Sequence, residues 1–278
     1  MNRWVAVVVV GGLSLLAVGI LLPAVVQMRL TSDRVRCQDH LRDLASFGMW
    51  HATLPGQPLT PQPKRELPPG TVPNPNLPIA ERLSWYVLLL PALEGNRLVS
   101  KQLGNVPDAS VAWDAPANRK WSHTRLSVAL CPGAVPDMPK ETPALSSYIA
   151  NAGIGVEIGS ADLPATGKIP PEFGPMRANQ PTPIDAILDG TSATILLAET
   201  TRERGPWIQG GISTLRGLNP EEIPYLGLNR PYAGSHLGGG NFAFVDGSVR
   251  FLSQAITPSI LRAMLTIAGQ EDFDLERP

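Results

Sequence analysis

From Trp4 to Met28 the chain carries no charged side chain, and apolar residues dominate the stretch WVAVVVVGGLSLLAVGILLPAVVQM. A bilayer core about 30 Å thick is crossed by roughly 20 apolar residues, so this run is long enough to span with some tilt. A cleaved secretory signal has a shorter apolar region, about 7 to 15 residues, ending in a small-x-small site. Here the one weak candidate, Ala17-Val18-Gly19, lies mid-run with Ile20-Leu21-Leu22 still to come, which favours a retained anchor over residues 1–28.

Beyond Pro23 the apolar period stays helical. Cys37, Leu41, Leu44 and Gly48 share one stripe, while Arg34, Gln38, Asp39, Arg42 and Asp43 take mostly other positions. No strong breaker occurs before Pro55-Gly56, so the pattern predicts one helix from near Asn2 to about Leu54. It should be kinked at Pro23 and about 75–80 Å long, with its first half in lipid and residues 29–54 packed on a globular head.

Prolines then recur every few residues across 55–79, removing backbone donors and disfavouring helix interiors and central strands. This is an extended connector, either a linker or a segment wrapping the head. The apolar run Ser84 to Leu90 that follows, ending at Pro91, reads as core. The roughly 250 residues after the anchor are enough for one sizeable core, or for a main domain with an insertion, and residues 80–278 are expected to form the globular head.

The clearest local signal lies near the C-terminus, where Asn241–Val245 and Ser248–Leu252 flank Asp246-Gly247. Asp-Gly suits a type I′ turn, which needs two positive-φ positions. That register opposes Phe244 to Val249 and Phe242 to Phe251, and predicts a buried face made of those four residues. Thr194–Ala198 is a second strand candidate and Ser146–Gly155 a third. Thr257-Pro258 then opens a short helix with Ile260, Leu261, Met264 and Ile267 on its apolar stripe and Gly269 at its close. The fold class expected is α+β, with an antiparallel sheet carried by a long N-terminal helix.

Charge adds an exclusion. With 23 basic and 24 acidic residues the formal net charge is −1, which offers no field to attract nucleic acid phosphates. Arg29, Arg34 and Arg36 outnumber Arg3, which taken alone would place the C-terminal side inside. Only two cysteines, a proline-rich body and the lack of a cytosolic cofactor motif favour the body outside.

These residues, taken in order, resemble the exported, pilin-like proteins abundant in planctomycetes, the DUF1559 family with its H-X9-DG signature. The signature is His236 to Asp246-Gly247. Also matching are Leu21-Leu22-Pro23-Ala24-Val25, Cys37, Leu67-Pro68-Pro69-Gly70, Ser84-Trp85 and Leu88-Leu89-Leu90-Pro91. Farther on come Trp113-Asp114, Cys131-Pro132, Tyr148-Ile149-Ala150, Asp189-Gly190-Thr191-Ser192 and Ser248 to Leu252. The resemblance implies a type IV pilin or type II secretion pseudopilin architecture and does not imply an enzyme. The start Met1-Asn2-Arg3-Trp4 lacks the basic leader and Gly-Phe-Thr-Leu-Ile-Glu-like processing site usual in such proteins, and the apolar segment lacks their acidic residue. The expectation is therefore an uncleaved, single-pass membrane protein with an extracytoplasmic head.

Candidate chemistry is sparse. Cys37 and Cys131 can pin the long helix to the head as a disulfide, or remain two buried thiols; no cysteine or histidine lies at metal-ligand spacing. His236, before Gly238-Gly239-Gly240, reads as a turn residue bonded to backbone rather than a ligand or catalyst. The glycines lack the Lys-Ser/Thr of a phosphate loop. Asp185, Asp189, Glu199 and Asp246 show no regular calcium spacing and suit turns and caps. Trp113, Trp121 and Trp207 read as buried anchors. No catalytic residue, cofactor or metal is expected. The function classes are a pseudopilin-like structural or secretion-apparatus protein, with the membrane and either copies of itself or a secretion or pilus-like machine as partners, then a membrane-tethered binding protein, then an exported enzyme.

Overall fold

In the computed structural model the described residues are 3–50, 66–93, 106–134, 142–160, 169–227, 229–232 and 234–269; for 3, 5–10, 12, 14–17, 47–50 and 92–93 only the backbone is described. The architecture is α+β. Helix α1 runs from Arg3 to Trp50 with Pro23 inside it. Positions 51–54 of the expected helix, and 55–65 of the proline-rich segment, lie outside the described residues. Among the described residues no helix is long and apolar enough to cross a membrane.

The two halves of α1 meet different surroundings. Cys37, Leu41, Leu44 and Ala45 are buried, whereas Trp4 is 80% and Met28 73% exposed. The stripe read from the sequence therefore seats the second half on the head, as a helix with one apolar face should.

Where it is described, the proline-rich segment wraps the head rather than hanging free. Strand β1 (Glu66–Leu67) pairs with β3 (Thr182–Pro183). Gly70 and Thr71 N–H groups then donate to the carbonyls of Arg177 and Ala178. Helix α2 (Trp85–Leu93) follows. Ser84 Oγ accepts from the Tyr86 N–H, an N-cap bond that starts the helix. Trp85 to Leu90 are all buried, and a helix that is apolar all round belongs inside. It continues through Pro91, which is exposed.

Strands β2 (Tyr148–Ile154), β4 (Ile195–Glu199), β5 (Leu215–Leu218), β6 (Gly239–Phe244) and β7 (Val249–Ser253) form one sheet in the order β5-β2-β4-β6-β7. The β2–β4, β4–β6 and β6–β7 pairs are antiparallel; β5 lies parallel to β2. Because β4 intervenes in the chain and runs opposite to β2, residues 200–214 need only carry the chain past one end of β2 to set β5 on its far side, parallel to it. Both faces of the sheet are covered, so β4 is apolar from Ile195 to Ala198 and turns polar only at Glu199. Ala150, Leu197 and Ala243 face α1 and α2. Ile149, Ile195, Phe242 and Phe244 face the C-terminal helix Pro258–Ala263 and Tyr225, Leu226 and Tyr232. That helix stops before the predicted Gly269, and the Thr257 side chain makes no cap hydrogen bond.

The hairpin register differs by one residue from the sequence expectation. Phe242 pairs with Arg250 and Asn241 with Phe251. Gly247, at φ 84°, is the only positive-φ residue of the turn, whereas a type I′ turn needs two. The loop is accordingly longer: Gly247 N–H donates to Phe244 O, and Phe244 N–H to Ser248 O. Val249 and Phe251 thus turn to the α1 face, half-buried, with the Arg34 guanidinium 4.4 Å above the Phe251 ring.

Candidate functional site

The sheet register decides which polar groups meet α1. Tyr148 pairs with Glu199 one step after Ile149 pairs with Ala198. Ile149 and Ala198 pack toward the C-terminal helix, so Tyr148 and Glu199 point the other way, toward α1. Asn241 alternates with Phe242 and points there too. Tyr148 Oη donates to the Cys37 carbonyl at 3.5 Å, and Gln38 Nε2 to Asn241 Oδ1 at 3.0 Å.

Four side chains from four separate places converge at this point. Cys37 comes from α1, Cys131 from the stretch between the 3-10 turns Ser127–Ala129 and Pro132–Ala134, Glu199 from the end of β4, and His236 from the loop before β6. Their Sγ, Nε2 and Oε atoms all lie within 4.8 Å of one another. Cys37 and Cys131 are joined as a disulfide, with Cα atoms 5.1 Å apart. His236 Nε2 sits 3.4 Å from Cys131 Sγ and 3.3 Å from Glu199 Oε1.

Glu199 is buried, and a carboxylate taken out of water needs donors. Asn241 supplies two: its N–H to Oε2 at 2.8 Å and its Nδ2 to Oε1 at 2.9 Å. With its proton on Nε2, His236 is a third. Gly234 passes so close that a Cβ there would meet Glu199 Oε2 at 2.2 Å, so only glycine fits beside the carboxylate. Burial first, and then the charge of Glu199, push the Tyr148 hydroxyl well above the ordinary tyrosine range. His40 Nδ1 lies 3.0 Å from the Leu130 carbonyl, a second tie between α1 and the Cys131 segment.

The structure brings Cys37, Cys131 and His236 together and gives His236 a carboxylate and a sulfur as neighbours, where the sequence suggested backbone. Asp246 and Gly247 lie at the opposite end of β6, in the hairpin turn, where Asp246 Oδ1 accepts the Ser248 N–H. The other acidic candidates do not gather around a cation: Asp189 Oδ2 accepts from Thr266 Oγ1 and Gly269 N, and Asp185 is exposed. Trp121 and Trp207 are buried, and Trp113 packs partly buried on the same core. Asn241, Gln38 and His40 are the cluster residues that sequence reasoning missed, and Glu199, read there as a turn or cap residue, instead ends β4 inside the cluster. The available signal was a carboxylate ending an otherwise apolar strand.

A surface cleft of about 130 Å³ beside Val156, Arg202, Arg216 and Glu222 is smaller than the ~300–1,000 Å³ of typical small-molecule sites. Its cations are committed: Arg202 to Glu222 and Glu203, and Arg216 to Thr200 Oγ1 and the carbonyls of Ile212, Arg202 and Glu203.

Comparison with curated proteins and with solved structures finds no match to this chain. A family model does match, over residues 62–214, a span that holds Cys131 and Glu199 while Cys37 and His236 fall outside it. Its description is a protein of unknown function (DUF1559), and with more than half of its length matched the chain belongs to that family.

Proposed function

We propose that this protein is a membrane-tethered, pseudopilin-like structural component of a cell envelope, associated with a secretion or pilus-like machine and without enzymatic activity. The observation that carries the reading is the division of α1. One continuous helix has its second half built into the head, while the described side chains of its first half are exposed and largely apolar. An uncovered apolar surface of that extent needs a lipid or protein environment. The charge-free sequence from Trp4 to Met28 suits lipid. A disulfide between Cys37 and Cys131 fits a head in an oxidising, extracytoplasmic compartment, where such bonds persist. The H-X9-DG spacing from His236 to Asp246-Gly247 supports the pilin-like relationship by spanning β6, with the histidine against α1 and the turn at the far end.

The test is fractionation of bacterial cells expressing the full chain. The protein should pellet with membranes, resist alkaline carbonate and dissolve in detergent. Replacing both Leu15 and Leu16, the middle of the Trp4–Met28 run, by Lys, at ~2.5–3.5 kcal/mol per charge near a bilayer centre, should release it. Chemical cross-linking in intact membranes should give species larger than a dimer. A full chain found soluble without detergent refutes the tether, and a chain that cross-links to nothing refutes the structural role.

A further inference from the structure

We infer that Cys37, Cys131, His236 and Glu199 are a binding site for one thiophilic divalent cation of the zinc class in the reduced chain, alternative to the disulfide in the oxidised chain. The argument is geometric. A tetrahedral zinc centre, with bonds of about 2.3 Å to sulfur and about 2.0–2.2 Å to nitrogen and oxygen, sets neighbouring ligand atoms roughly 3.4–3.8 Å apart. His236 Nε2 already stands 3.4 Å from Cys131 Sγ and 3.3 Å from Glu199 Oε1, and all four donor groups lie within 4.8 Å of one another. Opening the sulfur–sulfur bond is the one large change required. Two sulfurs, one imidazole nitrogen and one carboxylate oxygen form a donor set that this class of ion accepts.

The surroundings support the same assignment. Glu199 Oε1 accepts a hydrogen bond from Asn241 Nδ2 and retains a lone pair for a cation; Oε2 is held by the Asn241 N–H. Gln38 Nε2 in turn donates to Asn241 Oδ1. Such an outer layer orients ligands around bound ions. The donors come from α1, from the Cys131 segment, from β4 and from the loop before β6, so a cation would join the same parts that the disulfide joins and two more.

The chemistry balances as follows. A dithiol reductant gives two electrons and two protons to the Cys37–Cys131 bond and is itself oxidised to a disulfide, leaving two thiols. Binding of the divalent ion then displaces those two protons, both sulfurs coordinate as thiolates, and the neutral His236 imidazole carries its single proton on Nδ1, which frees Nε2 to coordinate in place of its bond to Glu199. Because Cys37 and Cys131 are both buried, the exchange belongs to the unfolded or newly made chain, before the site closes.

The experiment uses the full chain in detergent, unfolded with a dithiol reductant and refolded under strict anaerobiosis with Co²⁺ as the only transition metal. The expected result is one Co²⁺ per chain, intense thiolate-to-metal absorption and tetrahedral d–d bands, and displacement by Zn²⁺. The oxidised chain should show none of these. His236→Ala and Glu199→Gln should each weaken Co²⁺ binding by about 100-fold or more, since even outer-layer substitutions cost ~10–100-fold. Circular dichroism follows the fold in parallel. A reduced chain that recovers its native spectrum only when Co²⁺ is added supports the site. A reduced chain that folds without taking up Co²⁺, one that fails to fold even with it, or a His236→Ala chain that folds and binds as tightly as the parent overturns it.

Discussion

Removing the cross-link between Cys37 and Cys131 should cost this protein a large share of its stability. The two residues are 94 positions apart. In the chain-entropy treatment a loop of that length restricts the unfolded chain by about 4.7 kcal/mol at 25 °C. For a chain near this size each kcal/mol moves the melting temperature ~2–4 °C, so the double variant Cys37→Ala/Cys131→Ala should melt about 10 to 20 °C lower. The singles separate the cross-link from packing. Either one breaks the whole link, so each should lose nearly as much as the double, whereas independent packing losses would add. Guanidinium titration in mild detergent, with a chelator present, should also give a steeper transition for the variants, because an unlinked denatured chain exposes more surface. A fall of less than about 4 °C in the double variant, or single losses that simply sum, would refute the reasoning. It would mean that the segment around Cys131 stays near α1 even when the chain is unfolded.

Gly234→Ala should destabilise the head by about 1–3 kcal/mol in chemical denaturation, because the new methyl is forced against Glu199 Oε2. Leu41→Ala, which empties a fully buried position under the sheet, should cost about 2–5 kcal/mol without altering membrane retention. Burial holds the Tyr86, Tyr148 and Tyr232 hydroxyls above the ordinary tyrosine range, with a bond from Ser146 opposing it at Tyr86. The unfolded chain ionises near pH 10 while the folded chain keeps these protons, so stability should fall as pH climbs past about 10. Ultraviolet titration should show these three phenols becoming phenolate only together with loss of the fold; earlier ionisation would contradict their burial.

Periodic features were legible in the chain because they follow from local geometry. Cys37, Leu41 and Leu44 mark one face of α1, and they are buried. The strand expected at Thr194–Ala198 is β4, and the one expected within Ser146–Gly155 is β2. The hairpin was found but its pairing was shifted, because Asp246-Gly247 fits both a two-residue loop and a longer one with a single left-handed glycine. Which loop forms depends on how Phe251 and Val249 pack beneath α1, and that is a tertiary matter. The parallel placement of β5 beside β2 was not legible, since it depends on the chain after β4 passing the end of β2 instead of returning beside β4. The polar cluster was legible only in part. Cys37, Cys131 and His236 stood out by residue type, but Glu199 and Asn241 join them through strand register, which no linear spacing displays.

The division of labour within α1 dictates where this molecule can be dissected. The proline run after Trp50 invites a cut there, as a natural seam between rod and lobe. That excision would carry away Cys37, Leu41, Leu44 and Ala45, and with them a wall of the interior. A cut just before Arg29 falls among exposed positions and leaves the wall standing. Any fragment prepared for crystals or spectroscopy must therefore keep a stub of the rod, because half of the stalk is masonry of the lobe.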